Sequence, residues 1–497
     1  MSIFLNKNKQ RGRGFTLVEL LIVVVVIAIL AAIIVVGYRG VVGSAREASL
    51  RSDLKNAISE LSQYNLANRT YPADGSSLKS SNGNVFTYQS DGSTYCLAAY
   101  SESNPGMVFR VTQEEKIESG KCGAVTTVIA TGNLATCSVA SAKAYCWGHA
   151  MWGKLGTISG ADSKIPVAVD TTGVLAGKEV TAIAIGPNHS CAIATGKVYC
   201  WGKNLSGQLG DTTTTQRMTP VAVDTAGALA GKTATAVTVG EDYTCTLASG
   251  AVYCWGKNQY GQLGNNSTVA DAKVPVAVDT TGVLSGKTVT AIGGGSYRTC
   301  AIASGKAYCW GWNEYGALGN GSTVASSNIP VAADIPGKTV TAITAGTWHT
   351  CAIASGQAYC WGSAGSGRLG NGDSMASSST PVPVSTAGAL AGKTVTAISS
   401  GSNHTCAIAS GQAYCWGSAS SGQLGNNSTI DSDVPVAVSV GGVLAGKSVT
   451  AIAGGSSHSC AIATGKVYCW GLNNYGGLGN DSTASSPIPV QAVDYPL

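Results

Sequence analysis

Sixteen cysteines stand out in this chain of 497 residues, and fourteen of them fall into seven pairs nine residues apart. The pairs are Cys137/Cys146, Cys191/Cys200, Cys245/Cys254, Cys300/Cys309, Cys351/Cys360, Cys406/Cys415 and Cys460/Cys469. Thiols at fixed spacing can ligate a metal, carry redox equivalents or cross-link strands, and the residues between them decide which. In CAIASGQAYCWG, residues 351–362, a two-residue turn at Ser355-Gly356 sets Ala354 opposite Gln357 and Ile353 opposite Ala358. Ala352 then meets Tyr359, and Cys351 meets Cys360. Glycine accepts the positive φ that such a turn requires. In that register the cysteines form a non-hydrogen-bonded pair with Cα atoms about 4.5 Å apart, within reach of a disulfide. Nine-residue spacing on a hairpin is not a zinc-ligand pattern. The expectation is therefore structural cross-strand disulfides, each stabilising by about 2–3 kcal/mol through loop entropy, with no metal and no other cofactor.

The elements that position these hairpins recur with them. First cysteines return every 51 to 55 residues, in a unit reading roughly TVTAI-xxGxxHTCAIASGxAYCWGxxxxGQLGNxST-PVAV-TTGxLAGK. Four β-like stretches are visible in each unit: TVTAI, HTCAIAS, xAYCWG and PVAV. Four strands in each of seven units describe a seven-bladed β-propeller over residues 123–497. The HTCAIASG…WG…GQLG signature resembles the regulator of chromosome condensation repeat family, whose fold is a propeller. Whether PVAV completes its own blade or clasps the next one is left open by the sequence. Tyr359 and Trp361 point to one side of the hairpin while Ile353, Ala358 and Cys360 point to the other. Both sides are apolar, as a blade packed between two neighbours needs, so the YCWG tryptophans belong to the core.

Strand parity puts the GxxH turn and the WGxxxxGQLG loop at one end of each blade, here the top. The Ser-Gly turn and the TTGxLAGK loop fall at the bottom. Departures from the consensus concentrate in the top loops of units three to five. Tyr243, Tyr260, Tyr297, Arg298, Trp312, Tyr315 and Trp348 are candidate ligand-binding residues there, among Glu241, Asp242 and Glu314. Aromatic and mixed-charge side chains of this kind suit sugar rings or a protein surface; tolerated loop variation is the alternative. His189, His349, His404 and His458 occupy equivalent top positions, where hydrogen bonding within the turn is expected rather than a metal. Lys178, Lys232, Lys287, Lys338, Lys393 and Lys447 form a ring at the bottom, read as solvated loop lysines or as a site for anions. No nucleophile, base and orienting group stand together in the sequence, so no enzymatic activity is expected. A net charge of +5 with 11% charged residues gives no reason to expect nucleic acid as a partner.

The other chemically pointed residue is Glu19. It is the sole charge in the 22 residues from Phe15 to Val36, a run that as a helix covers about 33 Å, enough to cross a bilayer. Lys7, Lys9, Arg11 and Arg13 precede it and hold the N-terminus in the cytoplasm. The run is not followed by a clear small-x-small site for a secretory peptidase, and a carboxylate inside hydrocarbon is costly and usually functional. Gly14-Phe15-Thr16-Leu17-Val18-Glu19 resembles the leader junction of type IV pilins and pseudopilins. The resemblance implies cleavage after Gly14 by a prepilin peptidase, N-methylation of Phe15, and pairing of Glu19 with a neighbouring subunit's terminal amine. Apolar residues at 50, 54, 57, 58 and 61 extend an amphipathic helix to residue 72. Residues 73–122 read as a small antiparallel β head, closed like a pilin's by a Cys96–Cys122 disulfide. Many major pilins have proline where Val36 stands, which points to a minor subunit.

The expected organisation is a leader at 1–14, a long N-terminal transmembrane and pilin α-helix at 15–72, the head at 73–122 and the mainly β propeller beyond. Its expected partners are other pilin subunits, prepilin peptidase, the pilus or secretion assembly machinery and an extracellular protein or glycan. The expected location is the cytoplasmic membrane before assembly and the cell surface after it. Two functions fit: a pilus subunit displaying an adhesive propeller, or a pseudopilin of a type II-like secretion system whose propeller contacts cargo or the channel. Since the chain enters the first strand from the lysine side, the stalk is expected on that side, with the aromatic loops facing away.

Overall fold

A computed structural model describes residues 45–70, 72, 78–81, 84–90, 95–101, 104–112, 118–119, 126–267 and 271–495. The chain divides into two compact units, Met1–Cys122 and Gly123–Leu497. In the first, helix α1 covers residues 45–68. Leu50, Leu54, Ala57 and Leu61 recur at helical spacing and are buried against Leu97, Ala99 and Val111. Those three come from an antiparallel sheet of β1 (Asn84–Ser90), β2 (Tyr95–Ser101), β3 (Asn104–Thr112) and β4 (Glu118–Ser119), in that order. Asp53 ties the helix to the sheet by accepting from the Ser81 backbone at 2.9 Å and from Asn84 Nδ2 at 2.8 Å. Gly14, Phe15 and Glu19 lie outside the described residues, as does the apolar run 15–36. Cys96 sits in β2, but Cys122 and hence their pairing also lie outside. Among the described residues no helix is long and apolar enough to cross a membrane.

The second unit is a ring of seven four-stranded antiparallel sheets. Blade one consists of β5 (Thr126–Thr131), β6 (Ala135–Ala140), β7 (Lys143–Gly148) and β8 (Ser163–Ala168). The other blades span 180–222, 234–277, 289–333, 340–383, 395–437 and 449–491. Every blade uses four consecutive strands, so the PVAV strand completes its own blade and no strand is lent across the ring. First strands line a central channel. Fourth strands form the outer edges, and each carries a proline, as at Pro166, Pro220 and Pro435, which cannot donate to a further strand and so blunts the edge.

The hairpin register is the one the turn dictates: Cys351↔Cys360, Ala352↔Tyr359, Ile353↔Ala358 and Ala354↔Gln357. Each blade repeats it and closes its own disulfide. The bonds are Cys137–Cys146, Cys191–Cys200, Cys245–Cys254 and Cys300–Cys309 in blades one to four. Cys351–Cys360, Cys406–Cys415 and Cys460–Cys469 follow in blades five to seven. Cα atoms within these pairs are 4.0–4.1 Å apart. That is closer than the roughly 4.5 Å of an unlinked pair at such a position, because the covalent bond draws the two strands together. Ser355 and Gly356 both have positive φ, 50° and 77°, as a tight hairpin turn in a right-twisted pair requires. Blade one departs from this, since Ser141 and Ala142 adopt φ of 47° and 58° without a glycine.

Candidate functional site

The top of the propeller is built by one repeated lock. In each blade the YCWG tryptophan reaches back to the GQLG loop of the preceding blade. Trp255 Nε1 donates to the Gln208 carbonyl at 2.9 Å, and the Thr244 hydroxyl donates to the same oxygen at 2.9 Å. Trp201 with Ser190 does this on Lys154, and Trp470 with Ser459 on Gln423. The last glycine of GQLG makes the approach possible: a Cβ on Gly210 would stand 2.7 Å from Trp255 Nε1. Blade seven meets blade one the same way, through Trp147 and Thr136 on the Gly477 carbonyl at 3.0 and 2.9 Å. Tyr495 packs against Tyr145 and Trp147 at the same junction.

The disulfides stay inside this framework and offer nothing to a ligand. The second cysteines of the pairs, Cys146, Cys200, Cys254, Cys309, Cys360, Cys415 and Cys469, are fully buried in the third strands of their blades. Their partners Cys137, Cys191, Cys245, Cys300, Cys351, Cys406 and Cys460 are fully buried in the second strands. Five of these sulfurs, on Cys191, Cys245, Cys351, Cys406 and Cys460, lie 3.5–3.8 Å from the lock hydroxyl of the next blade.

The repeat histidines belong to this lock and not to their own turns, which corrects the sequence expectation. Their Nε2 atoms reach the hydroxyl of the next blade: His189 to Thr244 at 2.7 Å, His349 to Thr405 at 2.7 Å, His404 to Ser459 at 2.8 Å and His458 to Thr136 at 2.9 Å. Because the hydroxyl proton goes to the loop carbonyl, the imidazole is the donor. That fixes the Nε2–H tautomer and leaves Nδ1 buried without a partner. Burial pushes these rings far below the ordinary imidazole range, to about 3 for His189 and His404 and about 4 for His458. They are neutral spacers between blades.

Tyr243 and Arg298 occupy the same position in blades three and four, and both are fully buried. Neither can touch a ligand, contrary to their place among the candidates. The Arg298 guanidinium donates to Thr350 Oγ1 at 2.9 Å and to the Thr347, Gly346 and His349 carbonyls at 3.1, 3.0 and 2.5 Å. The Tyr243 hydroxyl bonds the Gly295 and Arg298 carbonyls. Burial raises the Tyr243 phenol and lowers Arg298 to about 10, leaving it charged at neutral pH. Blade one has only Ala135 here. The fully buried Lys154 bridges blades one and two instead, donating to the Asn133 and Pro187 carbonyls at 2.7 and 3.0 Å. Burial lowers its ammonium to about 8. The sequence signal was GKLG in place of GQLG.

The five remaining aromatic candidates do come together. Tyr260 and Tyr297 have ring centroids 5.4 Å apart, Tyr297 and Trp312 5.8 Å, Trp312 and Trp348 5.3 Å, and Trp348 and Tyr315 6.3 Å. They form one continuous band over blades three to five, partly exposed along its length, with Tyr315 48% accessible. Tyr315 is presented from a one-turn segment in which it holds φ at 60°. Burial and a hydrogen bond to Glu241 raise the Tyr297 phenol. Trp152 stands apart in blade one, 5.8 Å from the Lys203 ammonium, which is itself paired with Asp242 at 3.0 Å.

The bottom lysines are not a free ring of charge. Lys178, Lys232, Lys287, Lys393 and Lys447 each place Nζ 5.2–6.0 Å from the centroid of the YCWG tyrosine in the blade that follows them. Three of them also donate to a carbonyl four residues earlier. Among the described residues no group of three or more histidines, cysteines or carboxylates is placed to hold a metal.

Seven consecutive four-stranded blades, each bolted by tryptophan and hydroxyl to the loop before it, define a propeller made of one repeated unit. The chain belongs to the RCC1-like domain family, whose model matches residues 97–439, and models of the regulator of chromosome condensation repeat match 449–476 and 464–494. The prokaryotic N-terminal methylation motif matches residues 9–35, so the propeller is fused to a pilin-like N-terminus. The chain is 31% identical over 326 residues to the ultraviolet-B receptor UVR8 of Arabidopsis thaliana, covering 64% of this chain and 71% of that protein. It is 30% identical over 354 residues to the human E3 ubiquitin-protein ligase HERC2, covering 70% of this chain but 7% of the ligase. Among solved structures, human WBSCR16 superposes with a TM-score of 0.60 at 20% identity, over 70% of this chain and 89% of that one. Prp20p of Saccharomyces cerevisiae gives 0.58 at 21% identity, over 68% and 82%. These two likenesses are of fold.

Proposed function

We propose that this chain is a minor subunit of a type IV pilus-like filament and that its propeller recognises surfaces outside the cell. In this reading the leader is cut after Gly14, Phe15 is methylated, and Glu19 pairs with a neighbouring subunit's amine during assembly. The methylation motif supports membrane insertion followed by display on a filament. Buried disulfides in every blade suit an oxidising compartment. The observation that carries the recognition role is the five-ring aromatic band, contiguous over three blades. Trp152 and Tyr475 occupy the positions of Tyr260 and Tyr315 in blades one and seven, so it is the unbroken contact between rings that sets blades three to five apart. Blade six has only Ser-Asn at the turn and Ser-Ala-Ser-Ser in the loop. Packing does not require the rings, since the lock between blades is made beneath them.

The test is attachment by cells carrying Trp312→Ala/Trp348→Ala. Attachment is expected to fall at least tenfold while filament number and the amount of propeller on the filaments stay unchanged. Undiminished attachment would remove the aromatic band from the function.

A further inference from the structure

The aromatic band ends at the mouth of the central channel, and the junction has a chemistry of its own. Ser296 and Thr347 line the channel, and the residues that follow them, Tyr297 and Trp348, belong to the band. Ser296 Oγ lies 3.1 Å from Thr347 Oγ1, which donates to Ser402 Oγ at 3.1 Å. Three blades thus contribute one chain of hydroxyls along the rim. With Thr347 donating onward, Ser296 has lone pairs to offer at one end and Ser402 a proton at the other. Deeper in, the unpartnered hydroxyls of Ser400 and Thr131 have almost no accessible surface, so the polar chemistry open to a ligand is that of the rim chain. The cavity measures about 410 Å³ and its lining contains no Asp, Glu, Lys, Arg or His. That is within the range of roughly 300–1,000 Å³ common to small-molecule sites.

We propose that the channel mouth and the adjoining band form a single binding site for a neutral saccharide. One ring would lie against Trp348 and Tyr297, and a terminal unit would enter the channel and exchange hydrogen bonds with Ser296, Thr347 and Ser402. A sugar hydroxyl both donates and accepts, as the rim chain demands at its two ends, and its apolar ring face suits an aromatic side chain. The channel offers nothing to neutralise a charge, and Glu241 beside Tyr297 repels anions, so acidic sugars are disfavoured. This inference rests on the recognition role proposed above and adds the class of ligand.

Full-length protein in a sugar-free detergent is titrated by calorimetry and tryptophan fluorescence with lactose, maltotriose, mannotriose, chitotriose and the anionic sialyllactose. At least one neutral sugar is expected to bind with a change in emission. Trp348→Ala should abolish binding, and the isosteric Thr347→Val should weaken it at least tenfold without altering thermal unfolding. Ser402→Ala, which leaves the Thr347 hydroxyl in place, should weaken it by less. Binding of none of the neutral sugars, stronger binding of sialyllactose, or unchanged affinity in Thr347→Val would overturn the proposal. If no sugar binds yet Trp312→Ala/Trp348→Ala cells lose attachment, this inference falls and the recognition role stands; if attachment also persists, both fall.

Discussion

Four residue types share one repeated position, the residue before the Thr/Ser-Cys of each blade. Histidine donates to the next blade's hydroxyl in four blades, tyrosine and arginine reach further in two, and alanine leaves the task to Lys154 in one. The sequence showed that the position varies, but variation alone does not distinguish a ligand site from a change of structural partner. Burial decides, and burial comes from the neighbouring blade. The four imidazoles make stability acid-sensitive. Their folded-state values lie below the unfolded value of 6.5, near 3 to 4 for the three that are assigned one and in the same direction for His349. The fold therefore excludes protons that the unfolded chain takes up. Stability is complete above pH 6.5 and declines toward pH 4, by up to about 1.4 kcal/mol per pH unit for each ring. Urea unfolding across that interval is expected to show the decline, and His404→Gln should show a shallower slope. Arg298→His should fold normally, since His then faces Thr350 as it does an equivalent hydroxyl in four other blades. Arg298→Ala takes the donor from the Thr347 and Gly346 carbonyls, while the His349 carbonyl keeps the Gly346 N–H, and should cost about 3 kcal/mol, measured by the same unfolding.

The hairpin was the most legible element. A two-residue Ser-Gly turn fixes the register, the register pairs the cysteines, and alternation puts Trp361 against the neighbouring blade. The outer strand was not legible to the same degree. In blade two the loops flanking it, residues 203–216 and 223–233, are of similar length, so closure entropy does not favour one neighbour over the other. Replacing Cys351 and Cys360 together by alanine should lower stability by roughly 2–3 kcal/mol and leave the fold intact. A larger loss with collapse of the whole ring would mean that the blades are not independently braced. The opposite change is available in blade one. Ala142 holds φ at 58° where six blades have glycine, and Ala142→Gly should raise stability by about 0.5–1 kcal/mol in a thermal melt.

Across the molecule, the ring closes without a shared strand. Its last junction uses the same tryptophan and hydroxyl bonds as the others, and the histidine bond of three of them, with Tyr495 added. The repeat count and the blade content were readable because each unit carries its own turn and disulfide. The aromatic band was readable only as a list of departures. That five of the seven residues touch, while Tyr243 and Arg298 turn inward, depends on how neighbouring loops lean over one another. In the proposed function the propeller is carried on a filament through the pilin-like N-terminus that the methylation motif marks. That junction is tested by gold-labelling sheared filaments and whole cells with an antibody raised against residues 126–495. Label on the filaments is expected, sparse or at tips for a minor subunit. Label confined to the cell envelope, with none on the filaments, would contradict the account and favour a propeller that works within a secretion apparatus.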